Sequence, residues 1–165
     1  MTRAVRALDH ASDAAACDAI VRGLPDWFAN EDGLREQAEL VRTGDGLVVV
    51  EDGAVVGFLT YARLNARTAE VTWMAVRADR RRRGIGAVMI EELTARLSRE
   101  GMRMLVVKTL SDREDPGTEY AQTRAFYLRC GFVPVAELDI WGPENPCQLL
   151  SKPVPVKAPS FGPDT

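Results

Sequence analysis

Histidine is almost missing from this chain: His10 stands alone among 165 residues. That argues against a Ser-His-Asp or Cys-His hydrolase and against a histidine-ligated metal site, so no metal is expected. Cysteine is sparse as well. Cys17, Cys130 and Cys147 are odd in number and far apart, which suits neither a disulfide framework nor a zinc site and points to a reducing, cytoplasmic compartment. No apolar run approaches the length of a membrane span. Asp9, His10, Asp13 and Asp18 interrupt any signal-peptide core behind Arg3 and Arg6, so neither secretion nor a membrane partner is expected. Excess basic charge is also absent: the net charge is −3, which disfavours a nucleic-acid partner. No Gly-Lys-Ser/Thr closes a Walker-type loop, and the later glycines of a dinucleotide fingerprint are missing.

What is present is an ordinary globular composition, 46% apolar and 27% charged, enough for one domain with a real core. That domain is expected over residues 1–154, followed by a disordered proline-rich tail at 155–165. Val5 and Leu8 bracket a first strand, and Asp13 is placed to cap a helix over 14–22. Asn30 is a good N-cap for a second helix through Val41, with Glu31 and Asp32 at its positive end, and 43–46 stop it. Strand-like runs at 47–51 and 54–64 flank Asp52-Gly53, a strong hairpin signal. A third run at 70–77 completes an antiparallel meander. Helical spacing of Ile85, Val88, Met89, Leu93 and Leu97 ends at Gly101. A strand at 104–110 then implies a parallel crossover. A fourth helix over 120–130 stops at Gly131, and closing strands follow at 132–137 and 148–154. The pattern is α+β: a mixed sheet with four helices.

One stretch organises the chain, Val76-Arg77-Ala78-Asp79-Arg80-Arg81-Arg82-Arg83-Gly84-Ile85-Gly86-Ala87. It joins a strand to a helix start. The N–H groups of a first helical turn have no intrahelical partners, and the helix dipole favours an anion there. Gly84 and Gly86 allow close approach of the main chain, and Arg81, Arg82 and Arg83 add charge. Taken alone, four arginines in a row also suit a solvated turn or a nucleic-acid patch.

The wording Val76-x-x-Asp79-x-Arg81-x-x-Gly84-Ile85-Gly86 resembles the pyrophosphate loop of the GNAT superfamily of acetyl-CoA-dependent N-acetyltransferases, with Ala78 in place of a common proline. The resemblance extends from about Leu47 to Lys152. It implies the layered αβα GNAT fold, with a mostly antiparallel sheet of six to seven strands flanked by about four helices. It implies acetyl-CoA as cosubstrate, its pyrophosphate on the amides of Arg82 to Ala87, including Arg83, Gly84, Ile85 and Gly86. The strand ending at Met74–Val76 is expected to splay from its parallel neighbour. The pantetheine arm would then bond to the main chain of Met74 and Val76.

Ala125-Phe126-Tyr127-x-x-x-Gly131-Phe132 is the second block. By itself Tyr127 reads as a buried aromatic with a satisfied hydroxyl. The block resembles the closing GNAT motif, in which the tyrosine protonates the departing thiolate. A thiol pKa of about 8.5 and a phenol pKa of about 10 make that transfer nearly matched. Seven residues earlier, where many relatives carry a cofactor-binding asparagine, stands Tyr120. The wording Tyr120-x-x-Thr123-Arg124-Ala125-Phe126-Tyr127 resembles a bacterial subgroup without that asparagine.

Strand alternation would put Glu70, Thr72, Met74 and Val76 on one face. The spacing around Glu70 resembles histone-acetyltransferase-like members, in which this glutamate is the general base. It equally suits a solvated strand end, and Glu119 is a second choice. Trp27 and Phe28 read as core, with substrate contact as the alternative. Lys108 reads as a solvent-facing interruption of an apolar strand. The expected reaction is direct attack of a primary amine on acetyl-CoA in a ternary complex, by a monomer or homodimer. A non-catalytic acyl-CoA-binding module and an arginine-based nucleic-acid binder are the rivals.

Overall fold

The computed structural model describes residues 2–28, 30–113 and 117–156. Most of the expected tail lies outside them. In chain order the elements are β1 (Arg3–Ala7), α1 (His10–Arg22), α2 (Glu31–Thr43), β2 (Asp45–Glu51), β3 (Ala54–Arg63), β4 (Thr68–Val76), α3 (Ile85–Arg99), β5 (Met104–Leu110), α4 (Thr118–Arg129), β6 (Val133–Leu138) and β7 (Cys147–Pro153). A short 3-10 turn at Ala78–Arg80 lies between β4 and α3. The strands form one seven-stranded sheet in the order β1-β2-β3-β4-β5-β7-β6. Among the described residues only β4 and β5 run parallel, as the crossover through α3 requires. Among the described residues no helix is long and apolar enough to cross a membrane.

The central strands of the sheet are covered on both faces. On one, Leu47, Val49, Leu59 and Val71 pack against Ile85, Met89, Ile90, Leu93 and Leu97 of α3. On the other, Val48, Phe58 and Ala75 pack against Cys17, Ile20 and Val21 of α1 and Val41 of α2. Each such aliphatic side chain contributes about 1.5–3 kcal/mol. Asp52 and Gly53 take φ of 49° and 84°, as a two-residue hairpin turn demands.

Two local expectations need correction. Asp13 is not the cap of α1. Asp9 is, accepting from the N–H groups of Ala11 and Ser12 at 3.1 and 2.9 Å. Asp13 lies one turn in, buried, where it accepts two hydrogen bonds from Arg6 at 2.7 and 2.9 Å and one from the Asp9 N–H. A side chain this well satisfied leaves capping to the residue before the helix. The second correction concerns β4. Its register with β3 shifts between Tyr61, paired with Val71, and Thr60, paired with Trp73, so Thr72 is the extra residue of a bulge. A bulge inverts the alternation beyond it. Met74 and Val76 therefore pack with the α3 cluster, and Trp73 and Ala75 with the α1–α2 cluster. Glu70 does not share a face with Met74 and Val76. It lies on the α1–α2 face, together with Thr72, whose hydroxyl meets that of Thr60 at 2.7 Å.

The bulge prepares an opening. β4 and β5 pair only over Thr68–Val71 and Met104–Val107. Beyond that point β5 stays with β7 and β4 stays with β3. The expected splay is present, between the end of β4 and the outer half of β5.

Candidate functional site

A cavity of about 620 Å³ opens at this splay. Its lining comes from both sides of the sheet: Leu24, Trp27 and Phe28 from the α1–α2 connection, and Phe126 and Tyr127 from α4. Between them lie Met74 to Val76, the arginine turn and the start of α3. Among the described residues the lining holds Arg80, Arg81, Arg82 and Arg129 and no carboxylate.

The turn is shaped for an anion. Gly84 takes φ of 75° as the N-cap of α3, and no side chain caps the helix. The amides of Ile85, Gly86 and Ala87 are thus left to a ligand. Arg82 also has positive φ, 61°, which costs a side-chain-bearing residue about 1–2 kcal/mol. Such strain, held by the surrounding fold, points to use of that backbone. Gly86 meets a different demand. A Cβ there would come within 2.8 Å of the Phe126 ring, so the missing side chain lets α4 close against the head of α3.

The arginines are not equivalent. The buried carboxylate of Glu51, at the end of β2, accepts from Arg3 Nε at 2.7 Å and lies 3.2 Å from Arg80 Nε in an ion pair without hydrogen-bond alignment. Arg3 also donates to the Arg83 carbonyl at 3.2 Å. Asp79 accepts from Arg77 and Arg80 at 2.6 and 2.9 Å. The turn is thus fastened to β1 and β2 from beneath. Arg81 instead lays its guanidinium 4.2 Å over the Trp27 ring. Arg82 and Arg129 have no carboxylate partner among the described residues.

Tyr127 is buried between Phe126 and Phe132, with edge-on ring contacts at 5.2 and 5.3 Å. Burial pushes its phenol well above the ordinary value of 10.0. The ring is core, but its hydroxyl bonds to no described residue and Tyr127 lines the cavity. Burial thus favours the protonated phenol over the phenolate and widens the gap to a thiol expected from ordinary pKa values. Tyr120 donates to the Trp27 carbonyl at 3.3 Å, so the residue replacing the usual asparagine ties α4 to the α1–α2 connection.

Of the residues singled out from sequence, Met74, Val76, Arg81, Arg82, Gly84, Ile85, Gly86, Ala87 and Tyr127 all line the cavity. Arg83 and Glu70 do not. Arg83 offers its carbonyl to Arg3. Glu70 is ion-paired with Lys108 at 3.0 Å, beside the splay, with side-chain exposures of 13% and 32%. Lys108 is therefore a partner rather than a solvent-facing interruption. Sequence reasoning missed Glu51, whose signal was a carboxylate ending the apolar run 47–51. It also missed Arg129, which follows Gln122 and Phe126 at helical spacing on the cavity side of α4.

Residues 43–134 match the family model described as the Acetyltransferase (GNAT) domain, which is more than half of the chain. No curated protein matches the sequence. Among solved structures, a GNAT-family acetyltransferase from Desulfovibrio desulfuricans superposes with a TM-score of 0.81 at 23% identity, over 93% of this chain and 100% of that one. The ribosomal-protein-S18-alanine N-acetyltransferase of Escherichia coli superposes with a TM-score of 0.75 at 16% identity, over 98% and 99%. An aminoglycoside 6′-N-acetyltransferase complexed with coenzyme A gives 0.72 at 16%, over 95% and 99%. At these identities the structures speak for the fold, and with it agree the splayed strands, the uncapped helix behind the arginine turn and the matched domain. The chain belongs to the GNAT acetyltransferase family.

Proposed function

We propose that the protein is an N-acetyltransferase that moves the acetyl group of acetyl-CoA to a primary amine within a ternary complex. The observation that carries this reading is the layout of one cavity: an uncapped helix head with arginines on one wall, a tyrosine hydroxyl without a partner on the other, and a split sheet between. A diphosphate suits the amides of Ile85 to Ala87. The extended arm of a CoA thioester suits the unpaired edge of Met74–Val76, where main-chain N–H groups polarise the thioester carbonyl. Holding both reactants in one cleft supplies most of the acceleration.

Tyr127 donates a hydrogen bond to the sulfur as the carbon–sulfur bond breaks and CoA departs as the thiolate, while the amine gives up its proton to water. Glu70 is the proton acceptor for that step, acting through water, since it borders the splay without lining the cavity. An ammonium with a pKa of about 10 must lose its proton before attack. Lys108 holds Glu70 in place. That ion pair also favours the rival, a module that binds acyl-CoA without turnover.

The test is thiol release from acetyl-CoA over a panel of primary amines, followed by two-substrate kinetics. Intersecting initial-rate lines support direct attack. Parallel lines, which signal a covalent acetyl-enzyme, would overturn it. Tight acetyl-CoA binding with no thiol release on any amine would favour the non-catalytic module.

A further inference from the structure

The positive charge around the cavity exceeds what a diphosphate needs. Arg80 is offset by Glu51 and Asp79. Arg81, Arg82 and Arg129 line the cavity with no carboxylate partner among the described residues and no carboxylate in the lining. Elsewhere Arg3, Arg6, Arg42, Arg63 and Arg96 are each held by an acidic side chain within 3 Å, and Arg22, Arg67, Arg83, Arg103 and Arg124, which lack a carboxylate partner among the described residues, do not line the cavity. A guanidinium left unpaired at a cavity wall is a ready partner for a ligand phosphate, which it takes bidentately.

Arg81 and Arg82 belong to the turn that cradles the diphosphate. Arg129 does not. Gln122, Phe126 and Arg129 recur at intervals of four and three along α4, so they form one stripe, and all three line the cavity. Phe126 is the residue that meets Gly86 at the head of α3. Arg129 therefore stands about 4.5 Å further along α4 than the ring touching the amide cradle, with an exposed side chain at the cavity lining. A ligand with one diphosphate would leave this cation without a counter-charge. Coenzyme A carries a further phosphate on its ribose, a few bonds beyond the diphosphate.

We propose that Arg129, aided by Arg82, forms a subsite for that 3′-phosphate and makes the protein select CoA thioesters over their 3′-dephospho counterparts. This rests on the acetyl-CoA reading above. Arg129 is a specificity-determining residue in this account and takes no part in the chemistry.

The test is calorimetric titration with acetyl-CoA and with acetyl-3′-dephospho-CoA, on wild type, Arg129→Gln and Arg82→Gly. Glutamine keeps the helix propensity at an exposed site, and glycine keeps the left-handed backbone of Arg82, so both variants are expected to fold. Wild type should prefer acetyl-CoA by about tenfold, equivalent to about 1.4 kcal/mol. In Arg129→Gln the preference should fall below about threefold with affinity for the dephospho ligand unchanged, and Arg82→Gly should reduce it in part. Equal binding of both ligands by wild type would overturn the subsite and leave the acetyl-CoA reading standing. An equal loss for both ligands in Arg129→Gln would also overturn it, assigning the arginine to the diphosphate. Binding of neither ligand by wild type would overturn the subsite together with the reading on which it rests.

Discussion

The guanidinium of Arg81 lies 4.2 Å over the ring of Trp27, so the arginine turn and the α1–α2 connection touch across the mouth of the cavity. Such a cation–π contact at an exposed site is worth about 0.5–1 kcal/mol, small enough for a ligand phosphate to compete for the same guanidinium. Acetyl-CoA is therefore expected to change the emission of Trp27. Fluorescence titration should give a saturable change in wild type and a much smaller one in Trp27→Leu, although Trp73 and Trp141 remain in that variant. An unchanged response in Trp27→Leu would show that Arg81 and Trp27 do not report on binding.

Glu51 is the fastening of the turn. Replacing it by glutamine leaves Arg3 and Arg80 without a buried negative partner, at a cost of about 1.5–3 kcal/mol. For a chain of this size that lowers the unfolding midpoint by roughly 3–12 °C. Because Arg80 then keeps only Asp79 as a carboxylate partner and is less well held, acetyl-CoA affinity should change as well. Thermal denaturation and titration of Glu51→Gln check both. A variant as stable as wild type would remove Glu51 from the account.

Tyr127→Phe separates core from chemistry. The hydroxyl has no partner among the described residues and the ring packing is unchanged, so stability should stay within about 0.5 kcal/mol of wild type. Acetyl-CoA affinity should also hold. Turnover should fall by about 100-fold or more, the usual worth of a placed hydrogen-bond donor to developing charge. Because burial keeps the phenol protonated far above neutral pH, loss of its proton should not appear as an alkaline limb of the rate profile below about pH 10. A variant that keeps full turnover would return Tyr127 to a purely packing role.

Asp13 links pH to stability. The hydrogen bonds from Arg6, against the opposing effect of burial, hold its carboxyl below the ordinary value of 3.8. A group whose folded pKa is depressed contributes stability that is present above its unfolded value, about 3.9, and is lost as pH falls through the folded value. Asp13→Asn should be less stable than wild type by about 1.5–3 kcal/mol at neutral pH. That gap should narrow below about pH 3. Urea denaturation at pH 7 and pH 2.5 measures it, and a gap independent of pH would contradict the assignment.

What was legible in the sequence was what local rules decide. The Asp52-Gly53 hairpin, the Asn30 cap and the helix opening at Ile85 depend on a few adjacent residues, and all three are found. The bulge at Thr72 depends on how β4 pairs with β3, where Tyr61 faces Val71 and Thr60 faces Trp73, and nothing in the run 69–76 announces it. That one extra residue moved Glu70 to the other face from Met74 and Val76. Asp13 misled because Asp9 offers the same chemistry four residues earlier, and only the reach of Arg6 from β1 decides between them. Glu51 and Arg129 sit in patterns that read as a strand end and a helix surface. Their roles come from neighbours distant in sequence, Arg80 for the first and the head of α3 for the second.

The central claim is that the turn from Arg80 to Ala87 binds the diphosphate of acetyl-CoA. The most direct measurement is calorimetric titration with acetyl-CoA of wild type and of Ala87→Glu. Ala87 lies in the first turn of α3 and lines the cavity. A carboxylate there suits the helix dipole, so the fold should be kept, while the same charge repels a diphosphate. Micromolar binding by wild type, weakened by about 100-fold or more in the variant, is the predicted result. Absence of binding by wild type, or equal affinity in a folded Ala87→Glu, would contradict the account.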